Sequence, residues 1–164
     1  MNKHSTILFL LLALLPASLL HAQRTLLAGD TLRGYYLGAF VQGEEPEGGL
    51  DGSWVVMDFW ATWCRPCVAA MPHLNELQKE FASDSVVFLA VTHERKQQVQ
   101  GFLTMHELLA LVALDSDKQV MHKLMGIRAI PRTFVIGPDR VIRWTGHPSK
   151  LGREELRAIL TGAP

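Results

Sequence analysis

Trp54-Val55-Val56-Met57-Asp58-Phe59-Trp60 is apolar at every position but one, and it runs through Ala61-Thr62-Trp63 into Cys64 and Cys67. An apolar run without alternation fits a strand buried on both faces. The two cysteines are the only ones in the chain. Thiols at this spacing close into a small ring and reopen, moving two electrons per cycle by exchange through a mixed disulfide. A purely structural bridge is the weaker reading, because the closed loop is tiny and chain-entropy stabilisation grows with loop length.

The rest of the chain supplies layers for that strand. A helix is expected from about Pro66, with Leu74, Leu77 and Phe81 facing inward and Pro72 kinking it. Val86-Val87-Phe88-Leu89-Ala90-Val91 reads as a second buried strand, and residues 96–109 as a helix with Val99, Phe102, Leu103 and His106 on one side. Residues 110–114 fit a short strand, and Asp117 opens a helix through Val120, Met121, Leu124 and Met125, closed by Gly126. Thr133-Phe134-Val135-Ile136 and Val141-Ile142-Arg143-Trp144 flank Gly137-Pro138-Asp139-Arg140 as a hairpin. Residues 149–160 form a terminal helix with Leu151, Leu156, Ile159 and Leu160 inward. This order predicts an α/β fold, a central mixed β-sheet with helices on both faces.

Ahead of it, residues 23–53 read as a loosely patterned lead-in, with a strand over 35–41 and a Gly-, Glu- and Pro-rich loop over 43–52. Residues 1–22 have the pattern of a removable export signal: Lys3, an apolar run from Ile7 to Leu15, and a cut after Ala22. The run falls short of the ~20 residues of a spanning helix, although an uncleaved anchor through residues 7–20 is the alternative. Export to the periplasm puts the thiols in an oxidising compartment. Sixteen basic residues balance 16 acidic ones, with no basic stripe to suggest nucleic acid.

From Trp54 to Leu160 the chain resembles the thioredoxin superfamily, and within it the exported TlpA-type thiol–disulfide oxidoreductases of the redoxin branch. The matching stretches are Met57-Asp58-Phe59-Trp60-Ala61-Thr62-Trp63-Cys64-Arg65-Pro66-Cys67, Met71-Pro72, Gly126 to Ile136 and Trp144-Thr145-Gly146. The resemblance implies a thioredoxin fold over residues 54–164, an extra strand–helix insertion over 92–117, and the cysteine pair at a helix amino terminus. It implies a reductase of protein disulfides that needs no cofactor beyond the Cys64–Cys67 pair, with a disulfide oxidase or isomerase as the runner-up in the same class. It also implies a membrane electron donor for re-reduction, and we expect a monomer.

Cys64, just ahead of the predicted helix, is the expected nucleophile, since free amides and the helix dipole favour a thiolate there. Arg65 either tunes that thiol or is a solvated charge. Cys67 is the expected resolving thiol, and Pro66 suits the first helical turn. Trp63 offers a docking surface or packs, whereas Trp60 reads mainly as core. A carboxylate in a doubly buried strand is expensive, so Asp58 is expected to hold its proton to higher pH than usual. The resemblance gives it the task of deprotonating the resolving cysteine; the other reading is a structural carboxyl. Many TlpA-type members have Asn at that place and a Glu three residues after the second cysteine, where this chain has Ala70. The family match also implies that Pro131 follows a cis bond and that Ile130 presents its backbone to substrate. His93 and His147 read as ordinary surface histidines. A soft-metal site for Cu(I) using the two thiols with Met71, His73 or His122 is the rival from another class, but the Met and His residues show no ordered ligand spacing, so no metal site is assigned. A peroxidase ranks low, for want of a lone cysteine in a Thr-x-x-Cys setting.

Overall fold

The structure, a computed structural model, describes residues 24–34, 37–47, 49–81 and 86–162. The expected export signal lies outside the described residues. Six strands form one mixed sheet in the order β1-β4-β3-β2-β5-β6. They are β1 Phe40–Gln42, β2 Trp54–Phe59, β3 Val86–Thr92, β4 Leu111–Leu114, β5 Arg132–Ile136 and β6 Ile142–Gly146. β2 pairs in parallel with β3 and antiparallel with β5, which places the expected buried strand at the centre of the sheet.

Each face has its own core. Val56, Trp60 and Val135 point into one layer with Cys64, Cys67, Met71, Leu74, Leu77 and Phe81. Val55, Met57, Phe59, Phe134 and Ile136 point into the other, with Val120, Met121, Met125 and the lead-in residues Leu32, Leu37 and Leu50. The first layer is covered by α1 Arg65–Phe81, α2 Lys96–Leu103 and α3 Arg153–Thr161, the second by a π-helical segment Gln119–Leu124 and the lead-in. Burial of each large side chain on the inner face of α1 contributes roughly 1.5–3 kcal/mol.

Several elements depart from expectation for local reasons. α1 does contain Pro72, as expected, and its missing amide leaves one intrahelical bond unmade. α2 stops at Leu103 instead of continuing to residue 109, and His106 is exposed, stacked on Phe102 with ring centroids 4.0 Å apart. The chain beyond it is claimed by α1: Asn75 Nδ2 donates to the Glu107 carbonyl and the Leu109 amide donates to Asn75 Oδ1, both at 2.9 Å. The helix expected from Asp117 is a π-helix, begun where Asp115 accepts the amides of Val120 and Met121. The terminal helix is split, because Leu151 leaves helical geometry to bury its side chain fully and Gly152 starts α3 afresh.

The lead-in is built into the domain. β1 adds an edge strand antiparallel to β4, shorter than the strand expected over 35–41, of which Tyr35 and Tyr36 lie outside the described residues. The Leu26 amide donates to the Met125 carbonyl at 3.0 Å, and Thr25 Oγ1 to that of Gly126 at 2.8 Å. Gly126 has φ +64°, and a Cβ there would lie 2.4 Å from the Arg24 carbonyl oxygen. Both the turn and the passing backbone therefore require glycine.

Candidate active site at the start of the first helix

β2 ends at Phe59, and Ala61 to Cys64 make a turn closed by the Cys64 amide on the Ala61 carbonyl at 3.0 Å. Cys64 immediately precedes α1, and its carbonyl accepts the Val68 amide at 3.0 Å. Cys64 and Cys67 form a disulfide with an S–S distance of 2.00 Å. The Cys67 amide points at Cys64 Sγ, 3.3 Å away. A thiolate on Cys64 would thus meet an amide donor and the positive end of α1, the two influences that favour the anion. Pro66 sits in the first turn, where its missing donor costs nothing.

Cys64 is 4% exposed and Cys67 1%, so the expected ranking holds by only a small margin in the disulfide. Both sulfurs belong to the core layer that contains Trp60 and Met71. Exposure at the site comes from the neighbours: Trp63 is 63% exposed, and Arg65 and Pro66 are exposed beside it. Trp60 is buried, its ring 5.3 Å from that of Phe102, in keeping with a packing role. Its Nε1 has no hydrogen-bond partner among the described residues. Ile130 and Pro131 are half-buried, and the bond between them is cis, the isomer the resemblance implies.

Asp58 is buried in β2 and faces a narrow internal crevice shared with Val56, Trp60, Met71, Leu74 and Asn75. Burial pushes its carboxyl up to about 7, and the hydroxyl of Thr133, bonded to Oδ1 at 2.6 Å, pulls partly the other way. A carboxyl poised there can give or take a proton near neutrality.

A second buried acid was not singled out from sequence. Glu94, in the turn after β3, accepts the Thr62 amide at Oε2 (2.6 Å) and the Thr62 hydroxyl at Oε1 (2.8 Å). Gln98 Nε2 also donates to Oε1. Glu94 therefore anchors the turn that presents Trp63 and Cys64. Its only sequence signal is an acid placed two residues beyond the end of a largely apolar strand.

The histidines and methionine weighed for a soft metal are used otherwise. His73 Nε2 donates to the Leu151 carbonyl at 2.8 Å, Met71 is core, and His122 is exposed on the π-helical segment. Among the described residues no three His, Cys, Asp or Glu side chains gather as a metal site would. His93 is half-buried, and burial, with Lys118 nearby, lowers its pKa. His147 begins the short 3-10 turn, its Nδ1 accepting the Ser149 amide at 3.3 Å.

A model of the AhpC/TSA family matches residues 47–145. Thiol-disulfide oxidoreductase ResA of Bacillus subtilis (strain 168) is 35% identical over 91 residues, 55% of this chain and 50% of that protein. The chain spans about half the length of the curated relatives it matches. Among solved structures, StoA from Bacillus subtilis has a TM-score of 0.60 at 26% identity, over 74% of this chain and 95% of that one. The thioredoxin domain of a thiol-disulfide oxidoreductase from Bacteroides vulgatus has a TM-score of 0.67 at 16% identity, over 85% of this chain and all of that domain, a likeness that shows the fold.

Proposed function

Because the chain belongs to the AhpC/TSA family, and its fold sets a cysteine pair at the start of helix α1, we propose that it is a thiol–disulfide oxidoreductase acting as a reductase of protein disulfides. The observation that carries this reading is the Cys64–Cys67 disulfide with the Cys67 amide directed at Cys64 Sγ. In the reduced protein the Cys64 thiolate attacks one sulfur of a substrate disulfide. A mixed disulfide forms, and the other substrate sulfur leaves with the electron pair. Cys67 then gives its proton to the Asp58 carboxylate and attacks Cys64 Sγ. The intramolecular disulfide closes and the second substrate thiolate departs. Two electrons have passed from the dithiol to the substrate.

Trp63, Arg65 and Pro66 form the exposed rim against which a substrate docks, and Ile130 and Pro131 lie half-buried in the segment ahead of β5. The apolar leader read over residues 1–22 supports an exported, periplasmic protein, either released or held through residues 7–20. In that oxidising compartment the dithiol needs a membrane electron donor, and we place it there as a monomer whose substrates are other exported proteins. Equilibration with glutathione or thioredoxin tests the direction of transfer. A potential near thioredoxin's ~−270 mV is expected, and a value toward ~−120 mV would make the protein an oxidase and overturn the reductase reading.

A further inference from the structure

β5 is apolar from Phe134 to Ile136, yet Thr133, at 0% exposure, is among the most deeply buried residues of the chain. Valine has nearly the same shape and would pack there without burying a hydroxyl. A buried hydroxyl without a partner costs about 1–3 kcal/mol, so the partner explains the residue. In the antiparallel register of β2 and β5, Thr133 lies directly opposite Asp58. Both side chains face the layer of α1, since Val56 and Trp60 flank Asp58 on its face and Val135 continues that of Thr133, all in the cluster that holds Cys64 and Cys67. Thr133 Oγ1 donates to Asp58 Oδ1 at 2.6 Å, and among the described residues Asp58 makes no other side-chain hydrogen bond.

No charged side chain stands in for that bond. Toward Asp58, β3 presents Ala90, α1 presents Met71, Leu74 and Asn75, and the segment after α2 presents Leu108 and Ala110. Burial and the Thr133 bond alone shift the carboxyl. The cysteine pair, in the same core layer as Val56 and Trp60, becomes titratable once it is reduced.

We propose that Thr133 is a positioning residue for the exchange reaction: its hydroxyl, donated to Oδ1, fixes the orientation of the Asp58 carboxylate and stabilises its charged form, leaving Oδ2 free to take the proton of Cys67. This rests on Asp58 being the proton acceptor of the resolving step. A donor bonded to an anion is stronger than the same donor bonded to a neutral carboxyl, so the bond favours ionisation against the burial that opposes it. Without it, burial acts alone, and less of the base is ionised at neutral pH. Thr133 touches neither sulfur nor substrate in this scheme and acts only through Asp58.

The test follows the carbon resonance of the Asp58 carboxyl through a pH titration of the oxidised full-length protein, in wild type, Thr133→Val and Thr133→Ser. Thr133→Val is expected to raise the midpoint by about one pH unit. Thr133→Ser, which keeps the hydroxyl, is expected to restore it. The pH profile for resolution of a mixed disulfide should move upward by the same amount in Thr133→Val. A residue serving packing alone would change the denaturation midpoint and leave the titration where it was. An unmoved titration in a folded Thr133→Val, or a serine variant behaving like the valine one, overturns the proposal. Should the valine variant not fold, Thr133→Ala carries the same prediction. If the carboxyl titration moves with Thr133 while resolution ignores it, Asp58 is not the acceptor. The fault then lies in that reading, and the catalytic part of the proposal falls with it.

Discussion

A carboxyl buried without a counter-charge ties folding to protonation, and Asp58 is such a group. Its value of about 7 in the fold lies above the 3.8 of an ordinary aspartate, so between these limits the native state holds a proton that the unfolded chain has lost. The stability due to this group is complete below about pH 4 and is lost as the pH rises to 7, a loss on the order of 4 kcal/mol. Urea denaturation of the oxidised protein should therefore show a stability that falls between about pH 4 and pH 7, and Asp58→Asn should flatten that fall. A wild-type profile as flat as the variant's would mean that the carboxyl is not buried as described. Asp58 could be read from sequence because it breaks an apolar run. Thr133 could not, because its meaning depends on which strand lies opposite and in what register, and sequence periodicity carries neither.

At the scale of elements, hydrophobic patterning located the central strands, α1 and the β5–β6 hairpin, because each buries a regular face. It failed where tertiary hydrogen bonds overrode local preference. The Asn75 side chain takes the backbone groups that would have continued α2, and the Asp115 carboxylate sets the start of the π-helical segment. Glu94 belongs to the same class, since it joins the turn after β3 to the turn before α1. Removing its carboxylate leaves the Thr62 amide without its partner, so Glu94→Ala should cost about 1–3 kcal/mol in denaturant unfolding. Glu94→Gln, which keeps one acceptor, should cost less. Equal stability of the alanine variant and the wild type would show that the turn stands without this anchor.

In the molecule as a whole, a thioredoxin fold is completed by a lead-in that supplies an edge strand and part of one core. The sequence pattern separated this segment from the domain because its burial is irregular: Leu32, Leu37 and Leu50 reach the core singly from loops. The cysteine pair sits where β2 hands over to α1, with one exposed tryptophan beside it and a buried acid of β2 facing the same layer. We propose that this arrangement divides the labour between an attacking Cys64 and a resolving Cys67. The most direct test mixes reduced Cys67→Ser protein with a disulfide-bonded peptide and maps the adduct by mass spectrometry. A stable mixed disulfide on Cys64, absent from wild type because Cys67 resolves it, is the predicted result. A Cys67→Ser protein that forms no adduct on Cys64, or a wild type that accumulates the same one, would contradict the division of roles.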